Sequence, residues 1–138
     1  MSLTKQSLRD LEYRVIGAVM EVHKHTGPGL LEKVYQQFVA QEFTLRNIAF
    51  VREFPITIDY KGAVAKTDLR CDFVVEGVLP LELKAVEEFH PIHDAQTLTY
   101  MRLLQVPKGL LVNFNVAKIH PKGVRSLVNH LYYDLPEK

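Results

Sequence analysis

The stretch from Asp72 to Lys84, Asp-Phe-Val-Val-Glu-Gly-Val-Leu-Pro-Leu-Glu-Leu-Lys, constrains the fold of this chain more than any other. Apolar and polar residues alternate, a turn signal falls at Gly77, and the alternation resumes, which is the pattern of a β-hairpin. A pairing that sets Phe73 against Leu81 and Val75 against Leu79 also sets Cys71 against Leu83 and Leu69 against Ala85. Every one of those pairs is apolar, so that face belongs to a core. The other face then places Asp72 opposite Glu82 and Arg70 opposite Lys84. A slip of one residue would put Asp72 across from Leu81 and drive a carboxylate into the core, so the apolar pattern fixes the register.

The register has an electrostatic consequence. Two like charges about 4 Å apart repel by roughly 1 kcal/mol in water and by about 4 kcal/mol at an effective dielectric near 20. A divalent cation between Asp72 and Glu82 would turn that repulsion into binding, and oxygen ligands without Cys or His favour Mg²⁺ or Mn²⁺ over zinc. The alternative is a solvated sheet face on which Glu82 pairs with Lys84 or Arg70.

The chain's 138 residues suffice for one domain, residues 1–138, and its 47% hydrophobic and 24% charged content is ordinary for a soluble globular protein. No apolar run approaches the roughly 20 residues that cross a bilayer, and the N-terminus lacks a signal-peptide core, so a cytoplasmic location without membrane partners is expected. The single cysteine, Cys71, rules out an internal disulfide and lies on the apolar face of the hairpin. Formal net charge is +1, which gives no global field for nucleic acid. Residues 102–138, however, carry six basic against two acidic residues. That basic third suits phosphates and a solvated surface equally well.

Apolar residues Leu8, Leu11, Val15, Ala18, Val19 and Val22 recur at helical spacing and predict a helix over about Lys5–His23. Thr26-Gly-Pro-Gly29 turns the chain into a second helix, about Leu30–Arg46, with Leu31, Val34, Tyr35, Phe38 and Leu45 inward and Asn47 as its stop. Residues 49–60 read as a strand with Phe54, Ile56, Ile58 and Tyr60 on one face. Two further strands follow, about Ala63–Glu76 and Val78–Val86. Pro80 asks for an edge, a bulge or an unpaired site. Pro91 opens a third helix to Leu104, with Ile92, Ala95, Leu98 and Met101 inward. Leu110–Phe114 is a strand covered on both faces. A short strand near Lys118–His120 and then strand or helix over Val124–Tyr133 complete the chain. The order predicts an α/β fold in which an antiparallel meander becomes a mixed sheet where the third helix crosses over to the 110–114 strand.

Four short patterns add a resemblance. Gly29-Leu-Leu-Glu32-Lys-Val-Tyr35 matches the pattern that names the GxxExxY protein family. Asp72 with Glu82-Leu-Lys84 resembles the split signature of the PD-(D/E)XK nuclease superfamily, with Cys71 where proline often stands. Gln96-Thr-Leu-Thr-Tyr100 is similar to the QxxxY motif of its RecB-like and lambda-exonuclease-like branches, and Gly109–Phe114 to the strand that follows. The resemblance covers about residues 10–120. It implies a restriction-endonuclease-like core with the mixed central sheet flanked by helices.

It also implies an activity: metal-dependent hydrolysis of phosphodiester bonds, in DNA, with Mg²⁺ or Mn²⁺. The alternative is an inactive nucleic-acid-binding or partner-binding module that keeps the fold, with a homodimer or a protein partner left open. On that resemblance Asp72, Glu82, Lys84 and Gln96 are the catalytic residues, and Glu32, Asp72, Glu82 and the Leu83 carbonyl hold the metal. Lys84 orients or deprotonates the attacking water or steadies phosphate charge. Gln96 and Tyr100, four apart on one helix face, contact nucleic acid together with Arg70. Glu32 also suits the positive end of its helix dipole, and Tyr100 suits core packing with an outward hydroxyl. His90 and His93 lack companion ligands for zinc and are expected to rim the cleft.

Overall fold

The structure, a computed structural model, describes residues 2–65 and 69–138. The chain opens with α1 (Lys5–Thr26) and α2 (Glu32–Leu45). Thr4 starts α1 as a capping box: its hydroxyl accepts from Ser7 N–H at 3.0 Å, and its own N–H donates to the Ser7 hydroxyl at 2.9 Å. All six residues of the expected α1 stripe are buried. None of the helices in the described residues is long and apolar enough to cross a membrane.

The inward face of α2 differs from the expected one. Tyr35, Gln36, Val39 and Phe43 are buried, while Leu31, Phe38 and Leu45 are 76%, 39% and 66% exposed. The cause is Tyr35, whose ring stacks on Phe114 at 4.1 Å and whose hydroxyl donates to the Gly27 carbonyl at 2.7 Å. Anchoring Tyr35 inward carries in Val39 and Phe43, each one turn further on.

The strands are β1 (Phe50–Pro55), β2 (Ile58–Tyr60), β3 (Ala63–Ala65), β4 (Arg70–Val75), β5 (Leu79–Lys84), β6 (Lys108–Asn113) and β7 (Val124–Val128), with α3 (Pro91–Leu104) between β5 and β6 and a short α4 (His130–Tyr133) after β7. Five of them form a sheet in the order β1-β4-β5-β6-β7; β2 and β3 form a separate hairpin. The sheet is antiparallel except for β5 and β6, the parallel pair that α3 connects. The meander-to-mixed sheet is therefore as the residue pattern requires. Phe73 pairs with Leu81 and Val75 with Leu79. Glu76 and Gly77 turn the hairpin with φ of 52° and 72°, the left-handed values that match strand twist in a tight turn.

Pro80 does not lie on an edge strand, because β5 is interior. The parallel ladder to β6 begins only at Leu81, so Pro80 stands just beyond its end. The single strand expected over 49–60 is two, because the chain leaves the main sheet after Pro55 to make the β2–β3 hairpin. The strand expected over 63–76 is likewise β3 and β4; the part of that expectation on Lys66–Asp68 lies outside the described residues. No strand forms at Lys118–His120, where the chain turns, and Val124–Tyr133 is strand first and helix after.

Helices α1 and α2 cover one sheet face through Val15, Val19, Val39, Phe43, Phe73, Leu81, Leu83 and Val112. On the other face α3 meets a smaller cluster of Ile56, Cys71, Val74 and Tyr100. The expected α3 stripe is rotated: Ile92 is 65% and Leu98 40% exposed, whereas Thr97, Tyr100 and Met101 are buried. Gly109 explains it. A Cβ there would lie 2.9 Å from both Met101 Sδ and Thr97 Cγ2, so the bare glycine lets that face of α3 rest on β6.

Candidate active site

The β4–β5 ladder stops at Phe73 and Leu81. One residue further, side chains replace backbone partners. Asp72 N–H donates to Glu82 Oε1 at 2.8 Å, and Leu83 N–H donates to Asp72 Oδ2 at 2.8 Å. The β1–β4 register breaks at the same place: it includes Arg52–Phe73 and Phe54–Cys71 but skips Asp72 and the residue opposite, Glu53, whose φ is +56°. Asp72 thus sits at an opening in both of its ladders. Buried backbone N–H groups need acceptors, and here the two carboxylates supply them.

The opening overturns part of the cross-strand pairing expected from alternation. Cys71 and Leu69 pack with Tyr100 on the α3 side, while Leu83 and Ala85 pack on the α1–α2 side. Neither the Cys71–Leu83 nor the Arg70–Lys84 pair is in the ladder. Alternation assumes a closed ladder, and carboxylates wedged between strands open it.

Glu82 is 4% exposed. Burial, and then the charge of Asp72, push its carboxyl up to about 8, against the opposing pull of the Asp72 N–H and Lys84. Burial also raises Asp72, offset by the Leu83 N–H and by Lys84. Lys84 Nζ lies 3.9 Å from Glu82 Oε2, too far for a hydrogen bond but close enough for charge. The structure therefore brings Asp72, Glu82 and Lys84 together in one seam of the sheet.

The remaining predicted residues surround that seam at different depths. Glu32, in the first turn of α2, accepts from Ala85 N–H at 3.2 Å, one residue past Lys84. Tyr100 is 1% exposed and its hydroxyl reaches the Arg70 carbonyl at 3.4 Å, so its position matches the core-packing alternative and leaves no surface for a phosphate. Burial raises the Tyr100 hydroxyl, and the charges of Glu82, Cys71 and Asp72 add to the effect. Arg70 is exposed on β4. His93 is half-buried, and its imidazole is lowered by burial and then by the charges of Lys84 and His90. Gln96, also half-buried, lies about one turn from both His93 and Tyr100 on α3.

Three further participants, Gln36, Arg52 and Glu53, were not expected. Gln36, 2% exposed, donates through Nε2 to Asp72 Oδ1 and to Glu53 Oε1, each at 3.0 Å, while Arg52 Nε donates to Gln36 Oε1 at 2.7 Å. Arg52 thereby fixes which way the amide points. Glu53 also pairs with Lys33. A signal for Gln36 existed: it is four residues after Glu32 and shares its helix face.

An oxygen-only pair of facing carboxylates, Glu82 buried and Asp72 half-buried, fits a hard divalent cation. Each carboxylate oxygen has two lone pairs, so the amides do not exhaust the pair's capacity. Among the described residues no three His, Cys, Asp or Glu side chains gather into a metal-binding cluster, so Glu32 stands apart from the pair.

A mixed sheet of this order flanked by helices on both faces is a restriction-endonuclease-like fold. A family model of the PD-(D/E)XK nuclease superfamily matches residues 9–126, and the chain belongs to that superfamily. Members are usually nucleases and typically use Mg²⁺ or another divalent metal, so membership supports a nuclease-type function with a nucleic-acid substrate. No curated protein and no solved structure matches the chain.

Proposed function

We propose that this chain is a metal-dependent nuclease of the GxxExxY type, one cytoplasmic domain over residues 1–138 that hydrolyses phosphodiester bonds in DNA. The observation that carries the reading is the seam itself: Asp72 and Glu82 locked by each other's strands, with Lys84 Nζ 3.9 Å from Glu82. Asp72, Glu82 and the Leu83 carbonyl would hold Mg²⁺ or Mn²⁺, with Glu32 as the outer acidic group. When bound, the cation supplies a water of lowered pKa and neutralises charge that develops on the phosphate. Gln36 and Arg52 keep Asp72 oriented, so the ligand pair is preorganised. Lys84 contributes a fixed positive charge where the attacking water and a phosphate oxygen would sit. Gln96 borders that space, and Arg70 offers an exposed cation to the backbone of the substrate.

The test is incubation with linear, nicked and single-stranded DNA and with RNA, in Mg²⁺, Mn²⁺ or EDTA, beside the Lys84→Ala chain. Metal-dependent cleavage of DNA by the wild type, lost in Lys84→Ala, is the expected result. A binding module that has kept the fold is the second reading. Its support is the engagement of Glu32 with Ala85 N–H, away from the carboxylate pair. That reading predicts retention of nucleic acid with no cleavage under any metal.

A further inference from the structure

One cavity of the structure shares no lining residue with the carboxylate seam. It has a volume of about 820 Å³ and lies along the outer face of α1, against the end of α2 and residues 117–120. Tyr13, Gly17, Met20 and Lys24 fall on one face of α1. Its floor is apolar, formed by Ile16, Met20, Ile48 and Ile119. Gly17 shapes one wall: a Cβ there would be 3.2 Å from Arg46 Nη1, so the missing side chain admits the arginine over bare helix backbone.

The rim is cationic, and its charges are unevenly compensated. Arg46 is paired with Glu42 at 2.7 Å, and the one lining acid, Glu21, has His25 Nδ1 at 3.2 Å from its carboxylate. Arg14, Lys24 and Lys118 also line the cavity, and among the described residues none of the three has an ion-pair partner. Part of the basic C-terminal third thus gathers here, at Lys118 and His120, with cations of α1.

We propose that this cavity is a second ligand site, for an organic anion with an apolar body. The volume falls in the range of small-molecule sites. Arg14, Lys24 and Lys118 are exposed at the rim, so a neutral apolar ligand would gain nothing from them, and a bare inorganic anion would gain nothing from the floor. Both features are used together by an aromatic phosphate such as a mononucleotide or by an aliphatic carboxylate. These share the chemistry and differ in body and head group.

The experiment is an amide chemical-shift titration of the isotope-labelled full chain with adenosine 5′-monophosphate, adenosine, decanoate, decanol and inorganic phosphate. One of the two organic anions should saturate shifts at Gly17, Met20 and Ile119, and bind about tenfold or more tighter than its neutral partner and than phosphate. The better anion names the source. Lys24→Glu with Lys118→Glu should weaken it about tenfold while leaving the melting temperature and any cleavage activity unchanged. Met20→Trp, a filling change at a 44% exposed position, should compete with the ligand for the floor. Equal affinity for anion and neutral partner, no saturation by either anion at millimolar concentration, or charge reversal without effect would each overturn the proposal. Because the readout is binding, its failure is separate from failure of the nuclease reading.

Discussion

Asp72 and Glu82 face each other so closely that a charge on one makes a charge on the other costly. Their position is kept because each accepts a backbone N–H that the opened ladder would leave unpaired. Leaving a buried donor unsatisfied costs about 1–3 kcal/mol, so an acceptor oxygen is needed at both places but a charge is not. Glu82→Gln keeps an acceptor for Asp72 N–H and removes one charge. The pH dependence follows with a definite sign. Glu82 is pushed up to about 8 in the folded chain, above the ordinary carboxylate value near 4.3 of an unfolded chain. In that window the folded state binds the extra proton, so Glu82 favours folding at low pH and loses that contribution as pH climbs to about 8. The loss approaches about 1.4 kcal/mol per pH unit. In EDTA the wild type and Glu82→Gln should therefore melt at similar temperatures near pH 5, with the variant melting higher at pH 8. Parallel melting curves of the two proteins across that range would show that Glu82 pairs fully with Lys84 and bears no net repulsion.

Among the elements, the contact between α3 and β6 sets how the third helix meets the site. Gly109 lies directly against α3, with Thr97 and Met101 within 2.9 Å of where its Cβ would be. Gly109→Ala places a methyl at 2.9 Å from two side chains and should cost about 1–3 kcal/mol by overpacking. Denaturant titration measures it, and a change under 0.5 kcal/mol would mean that α3 floats over the sheet. The same contact shows what the sequence could and could not reveal. The hairpin register was legible because Phe73 with Leu81 and Val75 with Leu79 make apolar pairs on one face across the turn at Gly77. The inward face of α3 was not, because Ile92, Ala95 and Leu98 are more apolar than Thr97, and which face turns inward is decided by a glycine in the next strand. On α2, Tyr35 lies inward as expected, but Phe114, some eighty positions away in sequence, sets the angle at which it docks, and that brings in Gln36, Val39 and Phe43 rather than Leu31, Phe38 and Leu45. The β2–β3 excursion was hidden because alternation from Phe54 to Tyr60 runs through Pro55 unbroken. The acidic seam was legible as a facing pair, whereas its opening of the ladder depends on Glu53 and Gln36, which no pattern in β4 or β5 announces.

At the scale of the molecule, the proposed cation site would link folding, protonation and cation binding in one equilibrium. The carboxylate pair lies near the centre of the sheet, beside the main core, so relief of its repulsion stabilises the fold as a whole rather than a loop. A ligand that binds only the folded state adds RT ln(1 + [L]/Kd), about 2.7 kcal/mol at a hundred times Kd. For a chain of this size that corresponds to a rise in melting temperature of roughly 10 °C. Mg²⁺ in that excess should give the wild type such a rise at pH 8, where the pair is closest to fully charged in the folded state. The rise should shrink toward pH 5, because a cation must then displace the proton that Glu82 holds. Glu82→Gln and Asp72→Asn should each respond to Mg²⁺ much less than the wild type at either pH. Thermal melts of the three proteins at both pH values, in EDTA and in excess Mg²⁺, give the full set. If all three respond equally, the cation binds elsewhere or not at all, and Asp72 and Glu82 serve only to cap the backbone of an opened sheet.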